Sequence, residues 1–570
     1  MIHHIRDYWQ DDANATPSFV AAAHALSDGD TLTLDGATYH LYPDGACLKE
    51  YYISNNDCGL KPIALPLFGK KHITVDGGGA ELIFHGKMIP VVIDGSEDIS
   101  IKNLSIDYHT PFYAQADILE VDRESILLGF DGVSFNCRVQ NGNFCFYSPD
   151  DGWEWEVEQG LSLEFDENGH PSATTPPYFP YTGNPMDHGF LGGMFHTARL
   201  VEEGKNRIRM YADTACLHHA GCYFIMTFSS REFPGIFVND SKDVTLTDLR
   251  LYHTAAMGVI AQTTENIRLE RVVAEPREGS GRLLSVNADA THFVNCRGNV
   301  TQIGCKYVQM MDDAANIHGI YHLYHGQNPD GSLRLGFGHF QQKGMQTYRV
   351  GDEVVVIDSE TNTIRARGRV LEAELISPDE VRLLLDCPVP MPGAHDVIEN
   401  LSTAPDVLFR DCESGYNRPR GFLISSSGKV LVENCRFYNM EQGVQLSGEM
   451  RDWYESGHVE DVTIRGCDFN GSAYAYGVAI VCRPVLRCTD TTFNGRVVIE
   501  NNTFTQSSRR ICAVERTREV VFKGNRFVLD ETLPAKPAYG EGGVSLDKCE
   551  WVEAEDVTVI DEAMLLEMLK

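Results

Sequence analysis

Three aspartates set the chemistry open to this chain. Two related strings lie 24 residues apart, Val286-Asn287-Ala288-Asp289-Ala290-Thr291-His292-Phe293 and Met310-Met311-Asp312-Asp313-Ala314-Ala315-Asn316-Ile317. In both, an aspartate precedes an apolar pair by the same offset, so on adjacent coils of one sheet Asp289 and Asp313 stack with α-carbons about 5 Å apart. Asp312 comes one residue earlier and points in another direction. Neighbouring negative charges raise one pKa and keep an acid protonated near neutral pH. Glycoside hydrolysis needs that combination, one protonated acid and one ionised carboxylate across the scissile bond. On this reading Asp289 and Asp313 jointly hold a water as general base and Asp312 is the general acid. Room for that water predicts inversion at the anomeric centre. Turn-capping aspartates or a calcium site are the competing uses of these residues. No cofactor and no metal are expected.

Around the cluster, Asn287, His292 and Asn316 are candidate substrate contacts. Arg418 and Arg420, in Asn417-Arg418-Pro419-Arg420-Gly421, could donate to sugar hydroxyls. Glu449, Arg451, Asp452 and Trp453 lie where a loop should protrude, and Trp453 could stack on an apolar sugar face. Arg277, Glu278 and Arg282 lie in the loop before Asp289, with Glu278 as a reserve acid. His292 and His318 flank the cluster without metal-ligand spacing and read as hydrogen-bonded structural histidines.

A weak repeat supplies the scaffold that must hold these residues. Apolar residues at i and i+2, then Cys, Asn or an apolar residue at i+5 and often Phe at i+7, recur from Ile99, Val244, Ile267, Thr291, Val407, Val430, Val462, Val497 and Val520. Spacings of 23 and 24 residues (244 to 267, 267 to 291, 407 to 430, 497 to 520), built from short alternating segments, are a solenoid signature. The leucine consensus of leucine-rich repeats is absent. The expected fold is therefore all-β: a right-handed parallel β-helix with two inserted β-barrel-like modules and an N-terminal capping helix. Cys296, Cys412, Cys435 and Cys467 fall on one internal ladder, continued by Asn502 and Asn525, and read as core. Thr16 caps a helix with Pro17 at its first position, and Ser18 to Leu26 covers the first coil. The expected division is 1–107 for the cap and first coils, 108–235 for the first insertion, 236–318 for the central coils with the aspartates, 319–402 for the second insertion and 403–570 for the last coils.

Hydrophobic residues make up 43% and charged residues 23% of 570, an ordinary globular composition without extended disorder. No window of 18 apolar residues is present, so no membrane span is expected. The net charge of -33 disfavours nucleic acid and polyanionic glycans and tilts a sugar partner towards neutral ones. Sixteen scattered cysteines without C-x-x-C pairs favour a reducing compartment. The expected location is cytoplasmic, or secreted with a signal peptide outside this sequence. Self-association stays open, since Asp561 to Lys570 reads as a short amphipathic helix that either caps the last coil or meets a partner.

The strings Asn287-Ala288-Asp289-Ala290-Thr291-His292-Phe293 and Met311-Asp312-Asp313-Ala314-Ala315-Asn316-Ile317-His318-Gly319 resemble those of glycoside hydrolase family 110, over most of the chain. The resemblance implies an inverting exo-α-1,3-galactosidase whose partner is a neutral galactose-terminated glycan, either the branched blood-group B trisaccharide or linear α-1,3-galactosides. More distantly, one Asp followed a coil later by an Asp pair resembles inverting polygalacturonases, where the first Asp of the pair is the acid. Ala315 departs from the family pattern, which has Thr there. A β-helix polysaccharide lyase and a non-catalytic glycan-binding solenoid are the competing classes. The first would use a basic residue and calcium, and the second would not need stacked aspartates.

Overall fold

The computed structural model describes residues 1–130, 135–148, 152–157, 162–172, 198–212, 215–227, 231–393, 395–471, 478–485, 491–506, 510–529, 543–555 and 558–560. Its body is a parallel β-helix whose coils build a sheet of 21 strands and a second sheet of 14. In the long sheet the register runs Ile99, Val244, Ile267, Val300, Val407, Val430, Val462, Val497 and Val520. Four residues after each of these the backbone is left-handed, at Asn103, Asp248, Arg271, Gly304, Asp411, Asn434, Gly466, Asn501 and Gly524. Asn, Asp and Gly fill most of these positions because they enter that region at least cost. The bend turns the following residue inward, which is the origin of the i+5 core position.

The repeat in the sequence steps from Ile267 to Thr291, and here the structure corrects it. Ile267 pairs with Val300, whereas Thr291 lies in the second sheet between Val259 and Ala315. The loop around Arg277 to Arg282 lengthens this coil, to 33 residues from Ile267 to Val300 in the first sheet and 32 from Val259 to Thr291 in the second, so a 24-residue spacing between residues of two different sheets imitated a step of one. The internal cysteine ladder therefore holds Cys305, not Cys296, below Cys412. Above it the Cys435 N–H donates to Cys467 Sγ at 3.4 Å, and Cys467 N–H to Asn502 Oδ1 at 2.9 Å. Asn502 N–H continues to Asn525 Oδ1 at 2.9 Å. Beside this ladder Phe437, Phe469 and Phe504 stack at 4.8 and 4.9 Å between ring centroids. Every cysteine among the described residues is free.

A helix over Thr16–Ala25 buries Phe19, Ala22 and Ala23 over the first coils. Thr16 is inside it rather than capping it: Asn14 Oδ1 accepts the Thr16 N–H at 3.0 Å, and Thr16 Oγ1 donates to the Tyr42 carbonyl at 2.8 Å. Two insertions leave the solenoid. The second, His322–Gln327 to Asp396–Asn400, is a closed six-stranded barrel around Leu335, Val354, Leu383 and Ile398. The first was expected to be barrel-like; its described residues form instead an open antiparallel six-stranded sheet and a three-stranded sheet, with the strands Ser162–Phe165 and Arg199–Gly204 as unjoined edges. Among the described residues no helix is long and apolar enough to cross a membrane. The segment Asp561 to Lys570 lies outside the described residues.

Candidate active site

Asp289 and Asp313 each stand two residues ahead of a strand of the second sheet, Thr291–Val294 and Ala315–Ile320, and those strands pair Thr291 with Ala315. The next strand, Phe422–Ile424, pairs Phe422 with Ala315. The same offset then makes one column of Asp289, Asp313 and Arg420. Contacts follow the column: the Asp313 N–H donates to Asp289 Oδ1 at 3.2 Å. Arg420 donates to Asp313 through its backbone N–H at 3.1 Å, Nε at 2.9 Å and Nη2 at 2.8 Å. Asp312 turns out of the column to Arg231, whose Nη2 donates to Oδ2 at 2.6 Å. One oxygen from each of the three carboxylates lies within 4.8 Å of the others.

Both insertions are pinned to this patch. Met311 packs with Tyr113, Leu163 and Ile225 of the first. Arg231, on the chain returning from it, is fixed by its N–H donating to Asp57 Oδ2 at 3.0 Å. From the barrel side, Gln341 Nε2 donates to Asp57 Oδ1 at 3.1 Å, and His339 stacks on Trp453 at 4.3 Å.

Three carboxylates in contact with two guanidiniums leave negative charge in excess, which a retained proton relieves. Burial pushes Asp289 well above the usual carboxylate range, the Asp312 charge adding to it and Arg231 opposing it. Burial also pushes Asp313 up to about 8, against the opposing Arg420 guanidinium. For Asp312 burial acts the same way, but the charges of Arg231, Arg418 and Arg420 outweigh it and hold the group below its ordinary range. Side-chain exposure follows a similar order, 4% and 1% for Asp289 and Asp313 against 16% for Asp312. These acidities run against the sequence reading in which Asp312 carries the proton, while its greater exposure suits a group that meets a leaving oxygen.

The remaining candidates divide. His292 Nδ1 meets Asp289 Oδ2 at 2.5 Å. Asn316 Nδ2 donates to Glu455 at 3.5 Å. Arg418 donates from Nε to the Met311 carbonyl at 3.2 Å, and its charge reaches Asp312. Asn287 is a tether, its Nδ2 donating to the Phe112 carbonyl where the first insertion begins. Glu449 staples its own loop: its carboxylate accepts the N–H groups of Arg451 at 2.5 Å, Asp452 at 2.7 Å and Tyr454 at 2.7 Å, and that of Trp453. Those bonds leave Glu449 building the Trp453 loop rather than offering oxygens to a sugar. Glu278 is exposed, in a loop that Arg277 and Arg282 tie to Asp107, and no described interaction joins it to the cluster. Sequence reasoning missed Arg231 and Glu455. Arg231 sits in aperiodic sequence between modules, and Glu455 two residues beyond the protruding Trp453, so only contacts reveal them.

Residues 398–527 match the family model described as "Right handed beta helix region", and residues 332–398 match "GLAA-B beta-barrel domain II". Alpha-1,3-galactosidase A of Shewanella woodyi is 30% identical over 523 residues, covering 89% of this chain and 82% of its own length. Alpha-1,3-galactosidase B of Bacteroides thetaiotaomicron is 28% identical over 555 residues, covering 95% and 87%. Among solved structures, the polygalacturonase from Erwinia carotovora ssp. carotovora aligns over 96% of this chain and 94% of its own at 8% identity and a TM-score of 0.36, too slight a likeness to argue from. With its right-handed parallel β-helix and that relationship to the Shewanella protein, the chain is a glycoside hydrolase and belongs to the α-1,3-galactosidase family, glycoside hydrolase family 110.

Proposed function

We propose that the protein is an exo-acting α-1,3-galactosidase that removes terminal α-1,3-linked galactose from neutral glycans, the blood-group B antigen or linear α-1,3-galactosides, with inversion. One observation carries the reading: three carboxylates within 4.8 Å of one another, held by the register of adjacent coils where both insertions meet the solenoid. In this scheme Asp289 and Asp313 orient a water and take its proton. Asp312, on the open side of the column, gives a proton to the departing glycosidic oxygen. Asp312 must then be protonated when the bond breaks, which mutual coupling favours: each charge that appears on Asp289 or Asp313 makes Asp312 harder to ionise. Arg420 positions Asp313, and the Trp453–His339 pair lines the wall beside the barrel. The formal net charge of -33 suits an uncharged substrate.

Retention is the second reading, because inverting pairs commonly stand about 6.5–9.5 Å apart and retaining ones about 5–5.5 Å. The close packing of these carboxylates favours it on spacing alone. The second aspartate beside the base, Asp313 stacked on Asp289, favours the water-holding scheme. The test is galactose release from the blood-group B trisaccharide and from linear galactose-α-1,3-galactose, by wild type and by Asp289→Asn, Asp312→Asn and Asp313→Asn. Release abolished in the variants while binding persists supports the reading. Release from neither substrate by the wild type overturns it.

A further inference from the structure

Behind Asp289 lies a buried chain of titratable groups that the scheme above leaves unused. Asp289 Oδ2 meets His292 Nδ1 at 2.5 Å, and His292 Nε2 meets His318 Nε2 at 2.9 Å. His318 Nε2 faces Glu455 Oε1 at 3.5 Å. Register builds the chain: His292 is on the strand Thr291–Val294, and His318 is on the next coil opposite Val294. The short strand Glu455–Ser456 pairs antiparallel with Gly319 and Ile320, which delivers Glu455 to His318. Asn55 Nδ2 donates to the same Glu455 oxygen at 3.1 Å and Asn316 Nδ2 at 3.5 Å.

The direction of the protons follows from one acceptor. His318 Nδ1 lies 2.6 Å from the Gly319 carbonyl oxygen, which can only accept, so His318 carries hydrogen on Nδ1. With His318 neutral, its Nε2 accepts from His292 Nε2–H. With His292 neutral, its Nδ1 accepts, and Asp289 must supply the hydrogen. Two neutral imidazoles thus require a protonated Asp289. Burial holds both imidazoles below their usual range, His292 at about 4.

We propose that His292, His318 and Glu455 are positioning residues forming a proton relay that lets Asp289 become an anionic base without releasing its proton to solvent. The Asp289 O–H proton passes to His292 Nδ1, and the His292 Nε2 proton passes to His318 Nε2. No proton enters or leaves: Asp289 becomes a carboxylate and His318 an imidazolium facing the Glu455 carboxylate. During hydrolysis the water oxygen bonds to the anomeric carbon as the glycosidic C–O bond breaks; the water's proton goes to Asp289, and the proton of Asp312 goes to the leaving oxygen. Glu455 is the counter-charge that makes the ionised arrangement accessible. Other charged groups acting on His292 are Arg231 and Asp312; those acting on Asp289 are Asp312 and Glu455, which raise it, and Arg231 and Arg420, which lower it, with Asp313 adjoining, and Arg420 also acts on Glu455. His339, near Glu455 and Arg231, is the remaining imidazole on the barrel side. This inference rests on the reading of Asp289 as a water-activating base.

The test is kcat/KM against pH for Glu455→Gln and His318→Gln, with Asp289→Asn assayed in parallel with added azide. Without the relay Asp289 ionises only by releasing its proton to solvent, so the acidic limb moves up by about one pH unit or more in His318→Gln, with activity regained at higher pH, and by less in Glu455→Gln, where losing a charge that itself raises Asp289 pulls the other way. A merely structural role would lower the whole profile and leave the limb in place. Limb shifts in both variants, together with an Asp289→Asn variant that azide rescues, support the relay. Unmoved limbs with azide rescue intact overturn the relay and leave Asp289 as the base. Full activity of Asp289→Asn overturns the underlying reading and the relay with it.

Discussion

Replacing Asp312 by asparagine removes the proposed proton donor while keeping its shape in the cluster. Asparagine keeps the shape and can still face Arg231, which donates to Asp312 at 2.6 Å, so the scaffold is little disturbed. Loss of a general acid costs about 10²–10⁴ in rate, roughly 3–5.5 kcal/mol in barrier, where the leaving group is a sugar alkoxide. With α-galactosyl fluoride, whose leaving group needs little proton assistance, the same variant should retain most of its kcat/KM. A second effect follows from charge. The Asp312 charge raises both Asp289 and Asp313, and the carboxylate oxygens lie within 4.8 Å. At an effective dielectric constant near 20 and a separation of 4.8 Å that repulsion is about 3.5 kcal/mol, or about 2.5 pKa units. Partial exposure and the remaining Arg231 reduce it to roughly one unit. Removing the charge lowers the pKa of the neighbours, and a base that works ionised loses activity as pH falls through its pKa. The acidic limb for the fluoride should therefore move down by about one unit. Equal losses on galactose-α-1,3-galactose and the fluoride would refute Asp312 as donor, and the same comparison in Asp289→Asn would then show whether the order of acidities names the acid. An unmoved limb would refute the coupling.

Other substitutions test the supports. Arg420→Ala strands the buried Asp313 carboxyl and should cost on the order of 3 kcal/mol, towards the low end for a broken buried pair because the Arg420 side chain is 26% exposed; the denaturant midpoint reads it. The same change removes the charge that opposes the rise of Asp313, so its pKa climbs and activity that needs it ionised is lost at a higher pH than in wild type. Trp453→Ala should raise KM about two- to tenfold with kcat little changed, the worth of one aromatic contact, and a fall in kcat alone would show that the loop serves chemistry instead. Phe469→Ala opens a cavity in the stacked column between Phe437 and Phe504 and should lower stability by about 3–5 kcal/mol without moving the pH profile.

The solenoid was legible because stacking imposes one burial pattern on every coil: the register from Val407 through Val430, Val462 and Val497 to Val520 repeats what their spacing shows. It misled at Thr291, where two sheets of one coil carry similar apolar pairs and a loop changes the count. The same similarity made Asp289 and Asp313 visible, since both lead strands of the second sheet in register. Arg420 was named as a sugar contact and instead completes their column. Arg231 and Glu455 were not legible: Arg231 arrives from a loop and Glu455 on a two-residue strand that follows the Trp453 loop, and no periodicity records which segment reaches the cluster. Glu449 shows the converse, a carboxylate whose loop looked functional but whose oxygens are consumed by four backbone N–H groups of that loop.

The most direct test of the account follows, by proton NMR, the first anomer of galactose released from galactose-α-1,3-galactose, before mutarotation mixes the two. The account predicts β-galactose first, with α-galactose appearing only at the rate of spontaneous mutarotation. Initial α-galactose would contradict it, turning one of the three aspartates from a holder of water into a nucleophile.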